Sequence, residues 1–207
     1  MTSYKKTKIA IHYRMLGAKM YKAIKAMNFA IEYHNGKRKD GSPEFSHQVF
    51  IANFAMTLPI NNDKFMETLL CAIFLHDICE DYDVSFSDIE EKFGSEVSTI
   101  VKCLTKVING NKLDEATYTN NISLNPVAML AKGCDRLHNI STMWSTFTIE
   151  KQMSYTDETI NYILPLLKYG RKNYPEYELC FENIKQSING RLEIIQYYNN
   201  KQNDVKI

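Results

Sequence analysis

The run Leu69–Leu75, LLCAIFL, constrains the fold more than any other stretch of the chain. It sits within a helical pattern over Lys64–Cys79 that is apolar almost all round, which a helix tolerates only when other elements cover it on every side. The run is far shorter than the roughly 20 apolar residues that span a bilayer, so the cover must be protein. The flanking sequence supplies it. Ala23, Met27, Ala30 and Ile31 share one face of a helix over about Tyr21–His34, and another helix follows at about His47–Leu58. In VSFSDIEEKFG, Ser85 is an N-cap with Asp88 three residues on, and Gly94 is the stop. Ser95 is expected to cap the next helix, EVSTIVKCLTKVI. Pro126 opens VAMLAKGCDRLHNISTM at a position where proline is tolerated. Two long helices are expected between about Thr156 and Tyr198. The polar stretches HNGKRKDGSP and Asn109–Asn125 read as loops. Strand alternation is scarce and no repeat is evident, so the expectation is one all-α domain over residues 1–207.

That length suits a single well-buried domain. A net charge of +1 excludes the broad basic field that would argue for a nucleic-acid partner, while local basic clusters remain available to a small phosphorylated ligand. The five cysteines are odd in number, form no C-x-x-C pair and lie mostly in apolar runs, as expected of reduced thiols. The N-terminal MTSYKKTKIAIHYRMLG lacks the apolar core of a signal sequence. A cytoplasmic protein with no membrane partner is the expectation.

The chemistry concentrates at the end of the apolar helix, in FLHDICEDYD. If the helix runs on, His76 and Glu80 lie at i, i+4, as do Asp77 and Asp81, giving two polar ridges on an element built for burial. Carboxylates near a helix C-terminus oppose the macrodipole. Packed this densely they need a counter-charge, which a bound cation would provide. A second polar cluster, Asp135-Arg136-Leu137-His138-Asn139, lies on another apolar-rich helix and repeats the i, i+4 arrangement with Asp135 and Asn139. His47 opens a third helix directly after a loop. Two imidazoles and two carboxylates from three helices form a mixed nitrogen and oxygen donor set that leaves room for water. Such a set suits Mn²⁺, or less distinctively Fe²⁺ and Zn²⁺, better than a closed structural zinc site.

In order along about Lys22–Trp144, AMNFAIEYHNGKRKDGSPEFSH, CAIFLHDICEDYDVSFSDIEEKFGSEVSTIVKCLTK and AKGCDRLHNISTM resemble the hydrolase domain of the RelA/SpoT alarmone enzymes and the single-domain small alarmone hydrolases, members of the HD superfamily. The resemblance implies a single HD-domain helical bundle with His47, His76, Asp77 and Asp135 as metal ligands. It implies that Glu80 and Asp81 position and activate the attacking water, that Arg38 and Lys39 contact substrate phosphates or base, and that Asn139 contacts the sugar. The implied activity is a Mn²⁺-dependent (p)ppGpp 3′-pyrophosphohydrolase acting on a small phosphorylated nucleotide. No tyrosine-centred synthetase motif follows, so a stand-alone hydrolase is expected. The metazoan SpoT homologues, similar over the same stretch, also remove a phosphate from NADPH, which makes a phosphatase on NADPH or another nucleotide signal an alternative. A nucleotide-sequestering binding protein is a third reading, against which the Glu80–Asp81 pair argues.

The chain departs from the pattern at Gln48, where proline is usual, and at Glu44-Phe45, in place of a tyrosine-aliphatic pair. Tyr82 replaces a threonine, and Gly133-Cys134 replaces a leucine-alanine. None removes a ligand, but Glu44 and Tyr82 fall close to the expected pocket. His34 reads either as a helix-ending or loop-bracing residue or as a substrate contact, and His138 as a support for the site or a structural residue. His12 reads as a surface residue. Trp144, the C-terminal tyrosines and Cys79 read as packing, and Lys168–Tyr174 as a solvated helix end.

Overall fold

A computed structural model describes residues 2–108 and 110–204. The expected apolar helix is α4, Asp63–Leu75, and every residue from Leu69 to Leu75 is at most 1% exposed. Around it lie α2 (Tyr21–Tyr33), α3 (Ser46–Ala55), α7 (Ser95–Leu104) and α9 (Pro126–Thr142), all in contact with it. The second long buried helix, α9, starts where its sequence directs. Asn125 accepts from the backbone N–H groups of Val127 and Ala128 at 2.8 and 3.2 Å, and Pro126 follows at the first turn. On its far side, α9 is covered by α11 (Leu164–Asn173) and α12 (Glu178–Asp204).

Other local signals act as read. Ser85 and Asp88 cap α6 (Phe86–Phe93) reciprocally, and Gly94 ends it at φ 90°. That glycine, and not Ser95, is the N-terminal boundary of α7. α7 stops at Leu104, and Val107–Ile108 (β1) pairs antiparallel with Asn111–Lys112 (β2).

Four further expectations are corrected. α4 does not run on to Cys79: it ends at Leu75, His76 and Asp77 form a turn, and a single helical turn, α5 (Ile78–Asp81), follows. The two polar ridges of one continuous helix are therefore replaced by a bend that carries the doublet. α3 ends at Ala55, three residues short of Leu58. The stretch read as a loop from Asn109, a residue outside the described ones, holds β2 and α8 (Glu115–Ser123). Asp114 caps α8 by accepting from the Thr117 N–H at 2.9 Å, and Tyr118 and Ile122, one turn apart, are its two buried residues. The C-terminal helices begin earlier than Thr156, with α10 at Ile149–Glu158. A π-helical turn, Thr159–Ile163, joins α10 to α11 just before Pro165. Proline has no N–H to donate and its ring clashes with the carbonyl four residues back, so the helix widens there.

An additional helix precedes these, α1 (Ser3–Gly17), which buries Ile11 and Met15 against the bundle. Among the described residues no helix is long and apolar enough to cross a membrane.

Candidate metal centre

The bend after Leu75 turns the two side chains of the doublet inward together. His76 Nδ1 donates to the Ile73 carbonyl at 2.8 Å, which leaves Nε2 facing the site. That nitrogen is buried and makes no aligned hydrogen bond, although it lies 2.8 Å from Asp77 Oδ2 and 3.8 Å from Asp135 Oδ1. A buried imidazole nitrogen set between two carboxylates is a place where positive charge is favoured, and a cation would supply it. The first turn of α3 brings His47 to the same point, and donor atoms of His47, His76 and Asp77 lie within 4.8 Å of one another. From α9, Asp135 Oδ1 comes to 3.1 Å from His47 Nε2. All four expected ligands are thus gathered from three segments.

Their surroundings orient them. His47 Nδ1 lies 2.9 Å from His138 Nδ1. Which ring donates in this bond follows from the tautomers. Burial, with the charges of His47 and Arg38, pushes the His138 imidazole down to about 3, so that ring is neutral. Asp135 is held by two donors, Lys132 Nζ on Oδ2 at 2.9 Å and Asn139 Nδ2 on Oδ1 at 2.7 Å. Lys132 was not among the sequence candidates. Its position one turn before Asp135 is a local signal, but its role depends on burial that only packing creates.

The electrostatics are those of a site with surplus negative charge. Burial disfavours a charged His76, yet Asp77 and Asp135 outweigh it and push the imidazole up to about 9. Burial likewise opposes ionisation of Asp135, but Lys132 and the two imidazoles hold it well below the usual carboxylate range. Reduced hydration raises Asp81 to about 6, reinforced by the charges of Asp77 and Glu80. Nitrogen and oxygen donors with surplus anionic charge suit a divalent cation.

Glu80 and Asp81 are both exposed. Glu80 Oε2 accepts from the backbone N–H groups of Lys106 and Val107 at 2.8 and 3.3 Å, tying α5 to β1. Arg38 and Lys39 sit in the loop between α2 and α3. That loop folds back on itself through the Lys37–Pro43 bridge and the Arg38 N–H to Ser42 carbonyl bond of 2.9 Å. With Asp40, Thr142, Thr146 and Lys151, they line a cavity of about 330 Å³. Lys151 and the two threonines are additions to the sequence candidates. Phe147 also lines this cavity, and it lines a neighbouring, more apolar one of about 760 Å³ that holds none of the donor residues.

The sequence profile of the HD domain (HD_4) matches residues 26–162, which contain every one of these donors. The chain belongs to the HD domain family. An HD domain implies a divalent metal, and the His47–His76–Asp77 cluster is where its donors meet. Among similar proteins is the guanosine-3′,5′-bis(diphosphate) 3′-pyrophosphohydrolase of Aquifex aeolicus, 32% identical over 195 residues, which cover 84% of this chain and 27% of that protein. A probable enzyme of the same name from Synechocystis is 32% identical over 69% of this chain and 19% of its own length. The GTP pyrophosphokinase rsh of Brucella ovis is 30% identical over 77% of this chain and 22% of its own length. This HD domain therefore spans about a quarter or less of the length of these relatives. Its fold matches the solved structure of a metazoan ortholog of SpoT that hydrolyses ppGpp and plays a role in starvation responses. The TM-score is 0.61 at 23% identity, over 80% of this chain and 94% of that one.

Proposed function

We propose that this HD domain is a Mn²⁺-dependent (p)ppGpp 3′-pyrophosphohydrolase, in which water displaces the 3′-diphosphate to release pyrophosphate and GDP or GTP. The observation that carries the reading is the gathering of the buried imidazoles of His47 and His76 against the carboxylates of Asp77 and Asp135, with a cationic cavity walled by Arg38, Lys39 and Lys151 elsewhere on the same domain. The relatives of that name over most of this chain support the choice of substrate.

In this reading His47, His76, Asp77 and Asp135 hold the ion. Bound Mn²⁺ supplies Lewis acidity, polarising a phosphoryl oxygen and easing ionisation of water near neutral pH. Asp81, raised toward neutrality by its surroundings, accepts the proton of the attacking water, and the free oxygen of Glu80 orients that water. Arg38 offers a planar fork to a phosphate or a base, and Lys39 a point charge. One N–H of Asn139 is engaged by Asp135, so its second N–H and its carbonyl oxygen are what it offers a ribose.

The test is incubation of purified protein and Mn²⁺ with ppGpp, pppGpp, ppApp, NADPH and nucleoside triphosphates. Pyrophosphate released from the guanosine tetra- and pentaphosphates is the expected result. Orthophosphate from NADPH alone would replace this substrate with another, and tight binding without product would overturn the enzymatic reading.

A further inference from the structure

Three residues at which the chain departs from the alarmone-hydrolase pattern, Glu44, Gln48 and Tyr82, meet around one buried histidine. His34 ends α2, is 4% exposed, and has a neighbour on each ring nitrogen. Tyr82 Oη lies 3.3 Å from Nδ1, and Gln48 Nε2 lies 3.4 Å from Nε2. The Tyr82 hydroxyl donates to Glu44 Oε1 at 2.9 Å, and the Gly36 N–H donates to Glu44 Oε2 at 3.0 Å.

The donors can be assigned around the whole chain of bonds. Tyr82 has one hydroxyl proton and gives it to the carboxylate, so toward His34 its oxygen accepts and Nδ1 carries the imidazole proton. Nε2 of the neutral ring then accepts from Gln48. Burial keeps that ring neutral by lowering the His34 pKa against the pull of Asp77 and Glu44. Every bond runs in one direction and ends on Glu44, an arrangement in which successive bonds polarise one another. Glycine at 36 leaves room for this carboxylate, since a Cβ there would stand 2.9 Å from Glu44 Oε2.

The segments joined are the ones on which the site depends. Gly36 and Glu44 are the two ends of the loop that carries Arg38 and Lys39. Gln48 follows His47 on α3. Tyr82 directly follows Glu80 and Asp81. We propose that Glu44, bonded to Tyr82 and Gly36, is a positioning residue that fixes the cationic loop relative to the acidic pair and so sets how tightly a phosphate-rich substrate is held. This rests on the hydrolase reading above for its substrate and on the hydrogen-bond geometry alone for its effect on the loop.

The experiment compares wild type, Glu44→Ala, Glu44→Gln, Tyr82→Phe and the Glu44→Ala/Tyr82→Phe double variant as full chains loaded with Mn²⁺. Steady-state kinetics use whichever nucleotide of the panel the wild type turns over. In parallel, limited trypsin digestion measures the rate of cleavage at Lys37, Arg38 and Lys39. Glu44→Ala is expected to raise KM about tenfold with kcat changed less than about threefold, and to speed cleavage in the loop by a similar factor. Glutamine has one acceptor oxygen for two donors, so Glu44→Gln falls between alanine and wild type. Tyr82→Phe raises KM by a few fold, and the double variant is no worse than Glu44→Ala, because the two residues act through one bond. Wild-type KM and wild-type trypsin rates in Glu44→Ala would overturn the proposal, as would additive effects in the double variant. If Glu44→Ala does not fold, Tyr82→Phe alone decides by the same two readouts. A wild type that turns over no nucleotide of the panel defeats the hydrolase reading, while the trypsin rates still decide whether Glu44 holds the loop.

Discussion

In the proposed mechanism Glu80 does two things with one carboxylate. One oxygen receives two backbone N–H groups from the start of β1, and the other is available to a water. The two demands separate by substitution. Glutamine keeps a carbonyl oxygen for the backbone but loses the charge, while alanine loses both. Glu80→Gln is therefore expected to keep wild-type stability and metal affinity while turnover falls about 10²-fold or more. Glu80→Ala is expected to lose turnover equally, and to lose about 1 kcal/mol of stability as well, since exposed hydrogen bonds contribute modestly. Turnover with the nucleotide panel, calorimetric Mn²⁺ titration and urea melts read the three quantities. Loss of metal in Glu80→Gln would contradict the assigned role. His47, His76, Asp77 and Asp135, which the fold gathers, and the pair after the doublet were all singled out in the sequence. The Glu80 bonds to Lys106 and Val107 were not, because those partners lie 26 and 27 residues away and meet only when α5 and β1 pack.

Among the elements, the close approach of α9, α11 and α12 depends on Gly133 and Gly170. A Cβ at Gly170 would meet Phe181 Cε1 at 2.6 Å and Met129 Cε at 2.7 Å, with both side chains fully buried. Gly170→Ala is expected to cost about 1–3 kcal/mol through overpacking. Gly190, within α12, has nothing within 4 Å of the same position. Gly190→Ala should stabilise by about 0.5–1 kcal/mol, the ordinary helix propensity difference. Chemical denaturation of both variants checks the signs, and a neutral Gly170→Ala would mean that α11 and α12 pack less closely than described. At this scale local chemistry was readable wherever a cap or a dense apolar face announced itself, as in α4, α6 and α9. It was silent for α8, whose packing contribution is Tyr118 and Ile122 on a polar background, and for the basic α1.

For the molecule as a whole, the donor cluster ties α3, the α4–α5 bend and α9 together, so metal binding is linked to folding. At a metal concentration 100 times Kd, linkage adds about 2.7 kcal/mol of stability. For a chain of this size that raises Tm by roughly 5–10 °C. Calorimetric scans in EDTA and after readdition of Mn²⁺ should show this shift in the wild type and none in His76→Ala. A wild-type Tm indifferent to EDTA and Mn²⁺ would sink the metal centre. Repeating the readdition with Fe²⁺ and Zn²⁺ ranks the ions by the shift each produces.

By itself the sequence determined that LLCAIFL must be the centre of a helical bundle and where most of its neighbours begin, and it singled out the candidate metal donors. Those features reside in periodicity, caps and residue chemistry, which act over one or two turns of chain. Only the tertiary structure decided that α4 breaks at the doublet and that Asn111–Ser123 is ordered as strand and helix. It also decided that His47 is braced by His138, 91 residues away, and that Glu44 reaches Tyr82 across 38 residues. Such contacts leave no local signature. Burial creates them, because a polar group removed from water must find a partner among whatever the packing brings beside it.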